Sequence, residues 1–390
     1  MSEVIEQIPA CKTGALDAAH RAGGATMSER EGWSVPAHYG DAAAEYDAVR
    51  GGAGAGAFDL SARGRVEVSG AEAVQFLNGL ITNDVKTLAE GAWMNAAFPN
   101  VQGRLVAHAR VLRLGDRFLF DTEAATHERV RQTLARFTLA GDFRVADRTV
   151  ELTTLSVQGA RAPEIIAATL GAEAASVERG RIYATNRRGA NISLIRATHT
   201  AEDGFDLFIE ATQANVLWES LLEAGARPCG FEALEVLRVE AGVPRYGIDI
   251  NDTNVVLEAA LDDAVSFTKG CYIGQEIIAR IHWRGHVAKR LAALRFEDAR
   301  DIVAAAAPRD AKILAPDGRE IGRVTSSVFS PRLGCAVALG IVKYDYLKPE
   351  TEVRVRAGED ERAARVAEVP LVRGSWFAAH ASSDGSAETL

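Results

Sequence analysis

The feature that most limits the fold of this chain is a strict two-residue alternation that runs straight into a tight turn. In Arg104–Arg113 the apolar residues Leu105, Ala107, Ala109 and Val111 fall on every second position, and Leu114-Gly115-Asp116 then reverses the chain into Arg117–Phe120. A period of two places those side chains on one face of a strand, and so short a turn joins antiparallel neighbours. Beyond Lys289 the same kind of signal dominates, in Leu291–Phe296, Lys312–Leu314, the turn Pro316-Asp317-Gly318, Gly322–Ser327 and Cys335–Val342. Helical spacing is found in Ala71–Leu80 and in Thr126–Ala140, which stops at Gly141. It recurs in a stretch capped by Thr212 that carries Val216, Leu217 and Leu221, and in Phe231–Ala241, which stops at Gly242. Hairpins outnumber strand-helix-strand alternations. The expected class is therefore α+β, with antiparallel sheets carrying helices on one side and an all-β C-terminal domain.

A doubly wound nucleotide-binding fold is disfavoured by order. Gly52-Ala53-Gly54-Ala55-Gly56-Ala57 fits the loose pattern G-x-G-x-x-A, whose physics needs a strand before it and a helix N-terminus after it. Here the helix-like DAAAEYDAVR comes first and the strand-like Phe58-Asp59-Leu60 follows. A net charge of −9 argues against a nucleic-acid partner held by bulk charge. Hydrophobic residues at 47% and charged residues at 25% describe a folded chain, and no stretch approaches the roughly 20 apolar residues of a membrane helix. Cys11, Cys229, Cys271 and Cys335 stand far apart, without metal-cage or iron–sulfur spacing. Scattered thiols, with neither a secretory signal nor a transit peptide, point to a reducing, cytoplasmic setting and to no membrane partner. Residues 1–14 and 378–390 are expected to be frayed ends.

The most informative run is Phe267-Thr268-Lys269-Gly270-Cys271-Tyr272-Ile273-Gly274-Gln275-Glu276. Gly270 and Gly274 bracket the cysteine and permit a tight turn, and Gln275–His282 reads as the start of a helix. Cys271 is either a small buried apolar side chain or a thiolate favoured by Lys269 and the helix N-terminus.

This run, continued by Ile277-Ile278-Ala279-Arg280 and Arg284-Gly285, resembles the signature of the YgfZ-type folate-binding proteins, which act in maturation or repair of iron–sulfur enzymes. They are relatives of the aminomethyltransferase (T-protein) of the glycine cleavage system. Further segments resemble the wider superfamily in its own order: Phe76–Val85, Glu202–Asp206, Leu237–Gly242 and Phe329–Gly334. The resemblance covers roughly residues 15 to 365. It implies a three-domain T-protein-like fold around a central hole, with segments 15–61 and 150–235 in a first domain, 62–149 and 236–288 in a second, and 289–377 as a C-terminal β-barrel. It also implies tetrahydrofolate or a one-carbon derivative as ligand, with Glu202 and Asn83 on the folate. Cys271 and Lys269 are then the reactive residues of a loop completed by Gly270, Tyr272, Gly274, Gln275 and Glu276, and iron–sulfur client proteins or assembly factors are the partners.

A carboxylate at Glu202 suits this ligand, because it can accept the parallel N–H donors of a pterin. Departures set the alternative. T-proteins carry a paired aspartate in G-G-x-x-D-D, where this chain reads Gln102-Gly103-Arg104-Leu105-Val106-Ala107-His108. The A-R-D arginine is replaced in Ala233-Leu234-Glu235, and the expected tyrosine before Glu202 is His199. Loss of the acidic pair favours iron–sulfur support over aminomethyl transfer. A histidine at 108 can still move a proton, so a folate-dependent aminomethyl or other one-carbon transferase stays open, as does a folate-sensing adaptor. The opening Gly32–Gly40 resembles the T-proteins proper.

Overall fold

The computed structural model describes residues 11–187, 189–297 and 307–378. Two sheets and a closed barrel carry the architecture. The first sheet has six strands in the order Ile182–Arg187, Ala190–Arg196, Gly204–Glu210, Leu152–Gln158, Gly56–Asp59 and Arg227–Pro228. Its neighbours are antiparallel except the last pair. The second is an antiparallel five-stranded sheet in the order Trp93–Pro99, Leu105–Leu114, Arg117–Thr122, Gly64–Ser69 and Arg144–Asp147. Six antiparallel strands between Lys289 and Ala367 close the C-terminal barrel. The α+β architecture with a terminal barrel is thus present. The helix Ala42–Arg50 runs before strand Gly56–Asp59, the reverse of a dinucleotide site. A Cβ on Gly56 would stand 2.7 Å from Cys229 Sγ, so the glycine run serves close packing.

Alternation explains both faces of the second sheet. Ala107, Ala109 and Val111 are buried together with Leu77, Leu80, Val130 and Leu134 from the helices Ala73–Leu80 and Ala124–Ala135, while Leu105 is buried against Tyr246, Ile250 and Val256. Each such buried Leu or Val contributes roughly 1.5–3 kcal/mol. The opposite face meets the first sheet through Leu112, Leu119, Ile195, Ala197 and Phe208. The helix Phe231–Ala241 joins these layers to the barrel, packing Val239 against Leu291, Val337 and Leu339. Arg238 clamps that joint, donating to Asp249 at 2.6 Å and to Ser326 Oγ at 2.6 Å.

Local differences from the sequence reading have identifiable causes. The helix expected over Thr126–Ala140 ends at Ala135, and Phe137 turns away to pack on Phe76 and Phe143. Thr212 lies in a 3₁₀ turn, Ala211–Gln213, and caps nothing; Val216 is exposed while Leu217, Trp218 and Leu221 are buried. Lys12–Thr13, within the expected frayed end, pairs with Trp33–Ser34, whereas residues 1–10 and 379–390 lie outside the described residues. Among the described residues no helix is long and apolar enough to cross a membrane.

Candidate functional site

Where the two sheets, the barrel and the chain after Phe231–Ala241 converge, they enclose a cavity of about 790 Å³. The second sheet contributes Trp93, Asn95, His108 and Arg110, and the first contributes Asp59 with the adjoining loop residues Thr198 and His199. Leu291, Ala292 and Leu339 come from the barrel, and Trp376 and Phe377 from the last described turn. This is the volume range of small-molecule sites. His108 and Arg110 reach it because they occupy the alternate positions of Leu105–Leu114, opposite the apolar set.

The wall residues Arg63, Arg110 and His199 join Asp121 and Asp206 behind them in a charge network that ties the sheets together. Arg110 Nη2 donates to Asp121 at 2.6 Å within its own sheet, and its Nη1 pairs with Asp206 of the other. Arg63 Nε completes Asp121 at 2.9 Å, and His199 Nε2 meets Asp206 at 2.8 Å. Burial acts to raise both carboxyls. The Arg110 and Arg63 guanidiniums overcome it at Asp121, and His199 with Arg110 do so at Asp206, so both stay below the usual carboxylate range. Breaking any member would leave an uncompensated buried charge, so the network fixes how the two sheets meet at the cavity.

Within the network Asp206 Oδ1 has no hydrogen-bond partner among the described residues, and two polar atoms of wall residues are in the same state. Trp93 Nε1 and His108 Nε2 are buried without a hydrogen-bond partner. Such orphans in a native fold ask for an explanation, and a ligand with complementary groups is one. Burial pushes the His108 imidazole down to about 4, so it is neutral at pH 7.

Of the residues singled out in the sequence, the structure joins Lys269 to Asn83, whose carbonyl its Nζ reaches at 2.6 Å, and leaves Glu202 apart from both. Glu202 stands behind the wall rather than in it. Its Oε1 accepts from Arg50 Nη1 at 2.8 Å, and its Oε2 accepts from Ser375 N and Ser375 Oγ, both at 2.7 Å. Those bonds occupy both oxygens and hold the turn whose next residues, Trp376 and Phe377, face the cavity. Asn83 also braces rather than lines: its Nδ2 donates to Asn95 O at 2.8 Å and Asp263 O at 3.0 Å, and both partners are wall residues.

The cysteine loop lies outside the cavity lining. Cys271 is exposed. Lys269, expected to favour its thiolate, is instead turned inward, because its Nζ donates to Ile81 O at 2.8 Å and Asn83 O at 2.6 Å over the Tyr272 ring. Burial brings that amine down to about 8. Gly274 begins the helix Gln275–Arg284 with φ of 77°, and a Cβ there would stand 2.3 Å from Asn100 O. Gln275 Nε2 reaches Gly270 O at 3.5 Å, and Glu276 pairs with Arg280 on the surface. Sequence reasoning missed Arg110, Asp121 and Asp206. Their only signal was placement of charge on alternating strand positions.

Two sheets and a capping barrel thus surround the cavity. The chain matches the GCVT N-terminal domain over residues 16–269 and the glycine cleavage T-protein C-terminal barrel domain over residues 289–372, and it belongs to that family. It is 34% identical over 357 residues to the aminomethyltransferase of Rubrobacter xylanophilus, covering 91% of this chain and 92% of that one. It is 33% identical over 362 residues to that of Herpetosiphon aurantiacus, covering 93% and 98%. The crystal structure of the glycine cleavage system aminomethyltransferase T from Bartonella henselae superposes with a TM-score of 0.83 at 25% identity, covering 93% of this chain and 98% of that chain. Similarity along the full length weighs for the transferase alternative over the iron–sulfur reading.

Proposed function

We propose that this chain binds a reduced folate in the cavity and takes part in folate-dependent one-carbon transfer of the aminomethyltransferase type. The observation that carries the reading is the pair of unpartnered polar atoms, Trp93 Nε1 and His108 Nε2, on residues lining a cavity of about 790 Å³. A reduced pterin offers ring nitrogens and an exocyclic amine to such groups, and its flat body suits the apolar lining by Leu60, Phe231 and Leu234. The bound folate would supply the one-carbon acceptor. Asn95, His108 and Arg110 would hold the ring, and Asn83 would keep Asn95 in position.

His108 stands where the resemblance places an aspartate of the acidic pair. A neutral imidazole can take or return a proton at the reacting nitrogen, but it lacks a carboxylate's charge stabilisation of a developing cation. Slower turnover than in an enzyme with the acidic pair is the expected result. The four free thiols suit a reducing cytoplasm.

The second reading, iron–sulfur support as a YgfZ-type protein, is favoured by one observation. Cys271 is exposed on a loop that Lys269 anchors to the carbonyls of Ile81 and Asn83. The test pairs calorimetric titration with tetrahydrofolate and an assay of ammonia release from an aminomethylated lipoyl carrier. Binding with turnover that is lost in His108→Ala supports transfer. Binding without turnover, with iron–sulfur enzyme activity restored in deficient cells by the wild type and not by Cys271→Ser, shifts the assignment to the second reading. No binding of tetrahydrofolate removes both.

A further inference from the structure

The cavity wall carries a second titratable side chain that the network behind it leaves free. Glu123 follows strand Arg117–Thr122 and precedes helix Ala124–Ala135. The ladder pairs Arg110 with Asp121 and Ala109 with Thr122, where it ends, and Glu123 is the next residue of the chain. Thr122 Oγ1 donates to His108 O at 2.9 Å at that end of the ladder. By alternation His108 and Arg110 share a face with Asp121, and His108, Arg110 and Glu123 all line the cavity.

The surroundings of Glu123 differ from those of Asp121. Asp121 takes two guanidiniums. Among the described residues, the one hydrogen bond to the Glu123 carboxyl comes from Tyr246 N, at 3.0 Å. The charged and titratable groups acting on it are Arg63, Glu31 and Arg245, with Tyr246 beside it. Arg63 is taken by Asp121, and Arg245 by Glu235 at 3.0 Å and Glu31 at 3.4 Å. Neither cation hydrogen-bonds Glu123.

We propose that Glu123 is a proton-exchanging residue of this cavity, sharing its wall with His108, and that it serves a ligand presenting a basic nitrogen to that wall. This rests on the folate reading for the ligand's identity, though not for the behaviour of Glu123 itself. Burial raises the Glu123 carboxyl to about 7, against the nearby Arg63, while His108 is held neutral. Two groups whose environments push them in opposite directions divide the acid and base tasks. When a ligand nitrogen is protonated, the Glu123 O–H bond breaks, an N–H bond forms, and the carboxylate remains. The reverse transfer restores the acid.

Infrared difference spectra of the full chain across about pH 5.5 to 8.5, a range that brackets the raised carboxyl, test the first half. The expected result is a carboxylic-acid carbonyl band that disappears through neutrality and is missing in Glu123→Gln, which keeps an acceptor for Tyr246 N. If no carboxyl titrates there, or the band survives in Glu123→Gln, the proposal is overturned. Calorimetry of tetrahydrofolate binding near neutral pH, in two buffers of different ionisation enthalpy, tests the second. Wild type should exchange part of a proton on binding, and Glu123→Gln should bind with that exchange abolished. An unchanged proton count overturns the proton-exchange role. Should wild type not bind tetrahydrofolate, the folate reading fails, and the infrared titration decides Glu123 alone.

Discussion

Replacing Glu202 by Gln separates two roles that one carboxylate could have. The side chain is 7% exposed and accepts from Arg50 on one oxygen and from Ser375 N and Oγ on the other. Gln is nearly isosteric but has only one acceptor oxygen. Whichever way its amide is turned, the NH₂ faces either the Arg50 guanidinium or the Ser375 N–H, donor against donor. One charge-assisted set is lost, worth about 1.5–3 kcal/mol. Arg50 keeps Glu240, to which its Nε donates at 3.1 Å, so the full cost of stranding a buried charge, about 3–5 kcal/mol, is not reached. The loss should appear locally, because the Ser375 bonds join the last turn to the body. Hydrogen exchange in the segment 371–378 should speed up by roughly 10- to 150-fold, each 1.4 kcal/mol being about a factor of ten. Global denaturation should shift less. If exchange in 371–378 is unchanged while tetrahydrofolate affinity falls, Glu202 is a ligand-binding group and the latch argument is wrong.

Two further outcomes follow from the loop of residues 269–276. Gly274→Ala should lower the thermal midpoint, since a side chain at φ of 77° costs about 1–2 kcal/mol before the contact with Asn100 O is added; an unchanged melt would refute the requirement for glycine. In the native protein alkylation should proceed at exposed Cys271 and spare Cys229, which is buried and whose thiol burial pushes up, until the chain unfolds; modification of Cys229 under native conditions would contradict the packing around Gly56.

Much of the fold was legible because its signals are local. The alternation over Arg104–Arg113 and the turn at Gly115 became the hairpin Leu105–Leu114 and Arg117–Thr122, and Phe231–Ala241 ends at Gly242 in the left-handed conformation. Signals that failed were those overridden by tertiary contacts, such as Phe137, whose ring joins Phe76 and Phe143 instead of extending a helix. The site was less legible, for a related reason. Arg110 and Asp206 lie far apart in the chain, and nothing in either neighbourhood announces that they meet between two sheets.

Motif strength and chemical role also separate in this chain. The K-G-C-Y-I-G-Q-E run is its most specific local pattern, yet Lys269 secures the carbonyls of Ile81 and Asn83, and Gly274 admits the carbonyl of Asn100. Arg238 and Glu240, from the other family segment, likewise tie the helix Phe231–Ala241 to Asp249 and to Tyr46, Arg50 and Ser330. Such residues must be kept because each satisfies backbone or buried charge that no neighbour can replace. His108 and Glu123 instead line the cavity, among the described residues His108 with Nε2 unpartnered and Glu123 with a single hydrogen bond, from Tyr246 N. Of the two positions where the resemblance places the acidic pair, Ala107 lies in the apolar core and only His108 lines the cavity, so a change at 108 alters the wall while a change at 107 alters the packing.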